Sequence, residues 1–384
     1  MNRLMSEAQE DERAASARAT RAGAGVLNVG IIGAGNISDF YLRIGRGFSN
    51  FAFTAIADLD TERAAAKAEA HGVQATTVTE LLADDAIDVV VNLTVPAAHA
   101  AVSRAVLGAG KHVYSEKPLA TSREDGKAIL ALAAARGLLV GCAPDTFLGA
   151  GLQAARAAID AGLIGEPIAA SAFMMSSGPD QWHPDPAFFF APGAGPLFDM
   201  GPYYLTALIN LFGPVSQVSG SAVIGRRTRP IMSAPRKGQL LAVETPTHVS
   251  AQLEFASGKV VTLLTSFDCP ASELPKCEVY GTEATLSLPD PNTFGGSLKL
   301  RRTADKEWQT LPLSGPYTEN SRGLGLADMV DALAAGRRQR AGGELAFHVL
   351  DTMVSILEAS ETRAWQTLAS SCERPAALAP GTRY

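Results

Sequence analysis

In the stretch "LFDMGPYYL", Asp199 and Tyr203 stand four residues apart. An acid and a phenol at this spacing can converge on a group that needs a proton moved. The same letters also read as a helix start, with Asp199 as N-cap, Pro202 in the first turn and Tyr203 as a half-buried core residue. A third group able to carry a proton is Lys117 in "KHVYSEKPLA", just beyond a β-rich run. Taken alone, Glu116 and Lys117 also suit a surface pair before a proline.

A glycine turn supplies the context for Lys117. "GIIGAGNIS" carries Gly33, Gly35, Asn36 and Ile37, with Ser38 at the third position of a G-x-G-x-x-G fingerprint. The first glycine permits a tight turn, and the second lets backbone approach a pyrophosphate at a helix N-terminus. Serine is small but is not equivalent to the third glycine. Asp58 follows at the end of the next β-rich run, near the spacing of the acid that binds ribose hydroxyls. A carboxylate there repels a 2′-phosphate, and Leu59 after it is not basic, which favours NAD over NADP. Arg63, further on, softens that preference and keeps NADP possible.

These residues need elements to hold them. From Leu27 the chain alternates β-branched runs ("VLNVGIIG", "FAFTAIA", "AIDVVVNLT", "KHVYSE", "LLVGCA") with alanine-rich helical stretches, the pattern of a parallel sheet with helical crossovers. Gly33, Asp58, Thr94 and Lys117 fall at the carboxyl ends of successive strands, the edge where open parallel sheets bind ligands. After about residue 145 come "PIAASAFMMSS", "HVSAQLEF", "KVVTLLTSFD", "KCEVYGTEATLSL" and "SLKLRR", joined by hairpin-like turns, then two helical stretches. The expected fold is an α/β Rossmann-type parallel-sheet domain (27–145) followed by an α+β domain (146–361) with a large, mainly antiparallel open sheet. Residues 1–26 read as a disordered tail and 362–384 as a second tail.

The loop "GPDQWHPDPAFFFAPGAGP" offers Trp182 as a stacking face for a sugar ring and His183 as a polar contact. It reads equally well as a loop anchored by burying Phe188, Phe189 and Phe190. "GRRTRP" around Arg226 reads as a solvated turn, or as a grip for an acidic substrate group. The 33 basic and 39 acidic residues argue against a nucleic-acid protein. No apolar run reaches membrane-spanning length. The four cysteines are scattered and expected reduced, and the six histidines do not cluster at ligand spacing, so no metal is expected. The expected location is the cytoplasm.

In ordered combination, "GIIGAGNIS", "ADLD", "NLTVPAAH", "AGKHVYSEKPLA", "GAGPLFDMGPYYL", "YGTEATLSLPDPNTFGG" and "GELAFHVLD" resemble the glucose–fructose oxidoreductase, inositol dehydrogenase and rhizopine-catabolism (Gfo/Idh/MocA) family. The resemblance spans Leu27 to Glu361. It implies an NAD(P)-dependent oxidoreductase acting on a sugar, cyclic polyol or related hydroxylated substrate. It also implies homodimers or homotetramers formed through the second-domain sheet. Lys117 matches the family lysine beside nicotinamide and substrate, while Thr94, Pro96, His99 and Glu116 match positions bordering the cofactor. Asp199 matches the family aspartate, and Tyr203 stands where many polyol-oxidising relatives carry histidine, so the proton carrier is open between Tyr203 and Lys117. A hydride shift at a carbinol carbon requires a proton to move at its oxygen, which gives these three residues their expected work. The other readings are a non-catalytic dinucleotide-binding regulator of the same fold and, less favoured, a sugar-modifying lyase or hydrolase using NAD transiently.

Overall fold

A computed structural model of the chain describes residues 25–313 and 315–384. The expected N-terminal tail lies outside them except for Gly25 and Val26. The chain divides into two compact units. One comprises the described residues up to Asp145 with Asn320–Phe347 and Thr382–Tyr384; the other comprises Thr146–Glu319 and His348–Gly381.

In the first unit the order is Leu27–Ile32 (β1), Asn36–Ile44 (α1), Phe51–Ala57 (β2), Thr61–His71 (α2), Gln74–Thr76 (β3), Val78–Ala83 (α3), Val89–Asn92 (β4), His99–Gly108 (α4), His112–Ser115 (β5), Arg123–Ala135 (α5) and Val140–Cys142 (β6). The strands form a six-stranded sheet in the order β3-β2-β1-β4-β5-β6, every pairing parallel. All residues of β4 and β5 are buried, which is why these strands are apolar runs without alternation. The order reverses between β1 and β4, so the ligand crevice lies beyond the carboxyl ends of these strands. The sequence reading passed over β3 and α3. A capping box announces α3: the Thr77 hydroxyl accepts the Glu80 amide, and the Glu80 carboxylate accepts the Thr77 amide.

Residues 320–347, expected in the second domain, belong to the first unit. Long-range hydrogen bonds hold them there. The Asp145 carboxylate accepts the amides of Gly323 and Gly325, the Asn50 side chain donates to the Ala327 carbonyl, and the Cys142 amide donates to the Ala341 carbonyl. The returning segment thus satisfies backbone groups of β6, an edge strand.

The second unit holds the helices Ala150–Asp160 (α6) and Gly195–Phe212 (α7) and a nine-stranded sheet. Its strands are Pro167–Met175 (β7), Val215–Val223 (β8), His248–Phe255 (β11), Val260–Ser266 (β12), Cys277–Gly281 (β13), Ala284–Leu288 (β14), Leu298–Arg302 (β15), Gln309–Leu311 (β16) and Gln366–Thr367 (β17). The order is β16-β15-β14-β13-β7-β12-β11-β8-β17, antiparallel except where β7 meets β12. Thr228–Pro230 (β9) and Leu240–Ala242 (β10) form a separate hairpin. Strict alternation of buried and half-buried positions along β11 shows one face on the core and one turned outward.

The C-terminal stretch expected as a tail is tied down. β17 pairs with β8, the Leu378 amide donates to Gln153, and Arg374 bonds Asp160. His348 accepts the Val215 amide on Nε2, so its Nδ1 carries the hydrogen and donates to Ser370. Burial pushes this imidazole down to about 4.

Candidate active site

The glycine turn joins β1 to α1. Gly33 has φ +109°, and a Cβ there would stand 2.6 Å from the Leu93 carbonyl carbon, so only glycine fits against the turn after β4. Gly35 is the N-cap of α1 and makes no side-chain cap; a Cβ on it would meet nothing within 4 Å. In its first turn Asn36 is exposed and Ile37 half-buried. This cradle fits the pyrophosphate of a dinucleotide. Ser38 is fully buried, and its hydroxyl donates to the Gly35 carbonyl at 2.7 Å. Serine is tolerated at the third position because its one polar atom is satisfied inside the turn.

Asp58 follows β2 directly. Its Oδ2 accepts the Ala34 amide at 2.7 Å, and its Oδ1 accepts the Asp60 amide at 2.9 Å and an Arg63 N–H at 2.8 Å. Burial raises the carboxyl, but the Arg63 guanidinium and the two amides outweigh it and hold the group below its ordinary value. The acid is locked to the glycine turn as a carboxylate.

Beyond β4 and β5, hydrogen bonds knit two more turns. Asn92 Oδ1 accepts the Thr94 hydroxyl at 2.7 Å, and Asn92 Nδ2 donates to the His99 carbonyl. Pro96, half-buried, opens the short turn leading into α4. His99, expected to border the cofactor, is 1% exposed. Its two ring nitrogens face the Pro118 carbonyl at 2.7 Å and the Thr94 carbonyl at 2.9 Å. Its polar atoms are thus spent on backbone, and it fastens the Thr94 turn to the segment carrying Lys117. Burial lowers this imidazole against the pull of those carbonyls.

Lys117 and Glu116 are half-buried. The Lys117 amide donates to Glu116 Oε2, the Tyr41 hydroxyl donates to Glu116 Oε1 at 3.0 Å, and the Glu116 amide donates to the Asn92 carbonyl. Tyr41 is fully buried, so this carboxylate is fixed from below. Sequence reasoning missed Tyr41, which shares no local pattern with a partner 75 residues away.

In the second unit, Asp199 and Tyr203 share one face of α7, one turn apart. The helix starts at Gly195 with Ala194 as N-cap and Pro196 in its first turn, so Asp199 is not the cap and Pro202 lies inside the helix. Only glycine fits at residue 195, where φ is +86° and a Cβ would stand 2.6 Å from the Pro246 carbonyl oxygen. Asp199 is half-buried and Tyr203 is buried.

Trp182 is 65% exposed and His183 half-buried, both within an aromatic cluster with Phe188 and Phe189. The Asp185 amide donates to His183 Nδ1. Of the three phenylalanines only Phe190 is buried, and Phe188 is exposed, so the anchor is not the one expected. A large part of it is Arg229, from the "GRRTRP" stretch read as solvated. Arg226 and Arg227 are exposed, but Arg229 is buried. It donates to Asp180 at 3.0 Å, Asp268 at 2.5 Å and the Ser177 carbonyl at 2.5 Å, and stands 5.3 Å from the Phe190 ring. Among the described residues no group of His, Cys, Asp and Glu is arranged to hold a metal ion, and no helix is long and apolar enough to cross a membrane.

Comparison with known proteins fits this arrangement. Residues 27–143 match the oxidoreductase family model with NAD-binding Rossmann fold, and residues 152–287 match the GFO/IDH/MocA C-terminal domain. Inositol 2-dehydrogenase 3 of Saccharopolyspora erythraea is 29% identical over 289 residues, 73% of this chain and 79% of that protein. The dTDP-3,4-didehydro-2,6-dideoxy-alpha-D-glucose 3-reductase of Streptomyces antibioticus is 31% identical over 266 residues, 64% of this chain and 78% of that one. Levoglucosan dehydrogenase, solved with NADH and L-sorbose, superposes with TM-score 0.76 at 22% identity, covering 90% of this chain and 100% of its own.

Proposed function

Since the chain belongs to the Gfo/Idh/MocA family of NAD-binding oxidoreductases, we propose that it transfers hydride between nicotinamide and a carbinol carbon of a sugar, cyclic polyol or related hydroxylated ring. The observation that carries this is Lys117, held by Glu116, Tyr41 and His99 at the sheet edge that also presents the glycine turn and Asp58. The cofactor supplies the hydride acceptor or donor. The chain supplies everything else.

In the oxidising direction hydride goes to nicotinamide and the carbinol proton goes to Lys117 as the neutral amine or to Tyr203 as the phenolate; in the reducing direction the same group returns it. Asp199 binds a substrate hydroxyl, and Tyr203 is the alternative carrier of the proton. Trp182 and His183 contact the substrate ring, Trp182 through its exposed face. Relatives named for inositol and deoxysugar substrates support the substrate class. Self-association through the outward face of the nine-stranded sheet belongs to the same proposal, and light scattering of the purified chain tests it.

The functional test is a nicotinamide-absorbance screen of sugars and polyols, with Lys117→Ala as blank. Lys117→Ala is expected to lose turnover by about 10²–10⁴-fold. Activity surviving in that variant removes the assigned site. Tyr203→Phe reads the proton path separately: an unchanged chemical step takes Tyr203 out of it. NADH binding without turnover of any polyol, aldose or ketose moves the reading to a dinucleotide-binding regulator.

A further inference from the structure

The nine-stranded sheet carries a groove on its outward face that the hydride-transfer reading does not use. Gly220 in β8 shows which face this is. A Cβ on it would stand 2.6 Å from the Ile356 carbonyl oxygen, so Gly220 is turned to the helix Gly343–Thr362. Its strand neighbours Ser219 and Ser221 therefore point the other way. Across the ladder Ser219 is paired with Gln252 and Ser221 with Ser250, both on the outward face of β11. After Thr362 the chain leaves its helix and runs through Arg363 and Trp365 into β17, beside β8. These six residues help to line an opening of about 370 Å³, a size that suits a small ligand.

Elsewhere on this face polar side chains satisfy one another. Gln217 donates to Glu254 at 2.6 Å, Gln252 donates to Thr262 at 3.1 Å, and His248 pairs with Ser266 at 3.0 Å. In the groove most do not. The hydroxyls of Ser219, Ser221 and Ser250, the Arg363 guanidinium and the Trp365 N–H find no hydrogen-bond or ion-pair partner among the described residues. Arg363 is the only charged residue lining the groove, which therefore carries a positive charge.

Arg363 also holds a backbone conformation that a side chain disfavours. It follows the last residue of its helix, where glycine is usual. At φ +57° it is the only non-glycine among the described residues in the left-handed region. Strain of this kind clusters at functional sites. Nothing within the chain repays it, since the guanidinium is exposed and unpaired.

We propose that the groove is a second ligand site, for a monosaccharide that carries a carboxylate or a phosphate. The planar fork of Arg363 bonds the anionic group. The three serine hydroxyls, each both donor and acceptor, take the sugar hydroxyls. Trp365, 47% exposed, gives the sugar ring an aromatic face and one N–H. The site is independent of the hydride-transfer reading, and binding without turnover tests it alone.

Isothermal titration of the full chain with D-gluconate and with glucose 6-phosphate, and with D-glucose as the neutral control, reads the site. At least one anion is expected to bind with Kd of about 1 mM or tighter, and glucose about tenfold more weakly or worse. Binding of gluconate alone selects the carboxylate, and binding of glucose 6-phosphate alone selects the phosphate. Arg363→Gly is expected to weaken the anion by about tenfold or more while melting no lower than the native chain, because glycine relieves the backbone. Trp365→Ala is expected to weaken it by about tenfold. Lys117→Ala is expected to bind it within about threefold of the native value, which separates this groove from the assigned catalytic site. Failure of both anions to bind, equal binding of glucose, unchanged binding in Arg363→Gly, or loss of binding in Lys117→Ala each overturns the proposal. So does a change of subunit number in Arg363→Gly or Trp365→Ala by light scattering without sugar, since the groove would then be a contact between copies.

Discussion

Arg63 and Arg229 each bond an aspartate within 3.0 Å, and there the likeness ends. Arg63 stands half in water with one close carboxylate, on a helix turn that would keep its shape without it. Arg229 is about 5% exposed and gathers two carboxylates, a backbone carbonyl and an aromatic ring, and Asp268 accepts the Thr247 hydroxyl besides. Besides Asp268, its partners come from both ends of one loop, Ser177 and Asp180 before Trp182 and Phe190 after it. Even Gly178 is shaped by it, since a Cβ there would lie 2.9 Å from the guanidinium. The difference teaches that the same ion pair does opposite work at the two depths. In water it is worth little and can change partners, whereas buried it is a fixture whose loss strands a charge.

The largest expected effect comes from emptying the buried site. Arg229→Ala leaves Asp180 and Asp268 without their cation and is expected to cost about 3–5 kcal/mol in urea unfolding. The loop carrying Trp182 should then become sensitive to limited proteolysis. Unfolding at the native urea midpoint would mean that the two arginines are alike after all.

A carboxylate held by amides sharpens the comparison at intermediate size. Asp145 accepts the Gly323 and Gly325 amides, yet full burial outweighs them and the charge of Arg322, and its carboxyl is raised to about 6. Asp58, with a guanidinium in contact, moves the other way. An acid raised in the folded state stabilises below its unfolded value near 4, and that stability is lost as pH rises to about 6. Asp145→Asn removes this dependence. Its melting temperature relative to the native chain is therefore expected to climb between about pH 4 and 6, by the equivalent of roughly 2 kcal/mol. A flat difference across that range would contradict the raised value.

The smallest stability effect belongs to Arg63→Ala, less than about 1 kcal/mol in the same urea assay. A larger loss would make Arg63 a structural fixture like Arg229.

Where polar residues are close in sequence or fixed by strand ends, their placement in the fold was legible. Gly33, Asp58, Thr94 and Lys117 each follow the last residues of a parallel strand, and strands of this kind show as apolar runs. Asp199 and Tyr203 were picked out correctly as neighbours but given the wrong helix start. The glycine and proline that begin α7, Gly195 and Pro196, resemble the loop before them. Arg229 escaped because its carboxylates are 49 and 39 residues away and its own neighbours are exposed. The glycine partners of Asp145 are 178 and 180 residues distant. Hydrophobic patterning has a period that can be read along a chain, whereas a buried ion pair has none.

Those last separations bear on how the chain is made. Residues up to Asp145 leave the ribosome first, but the glycine amides that Asp145 accepts lie 178 and 180 positions later. At about 5–20 residues per second, the nascent acid waits roughly 10–35 s for them. In that interval Thr146–Glu319, the long uninterrupted part of the other unit, has already been delivered. The nucleotide-binding half is begun first and finished late, so a message cut short after residue 319 would release it with the Cys142 amide at its sheet edge lacking Ala341.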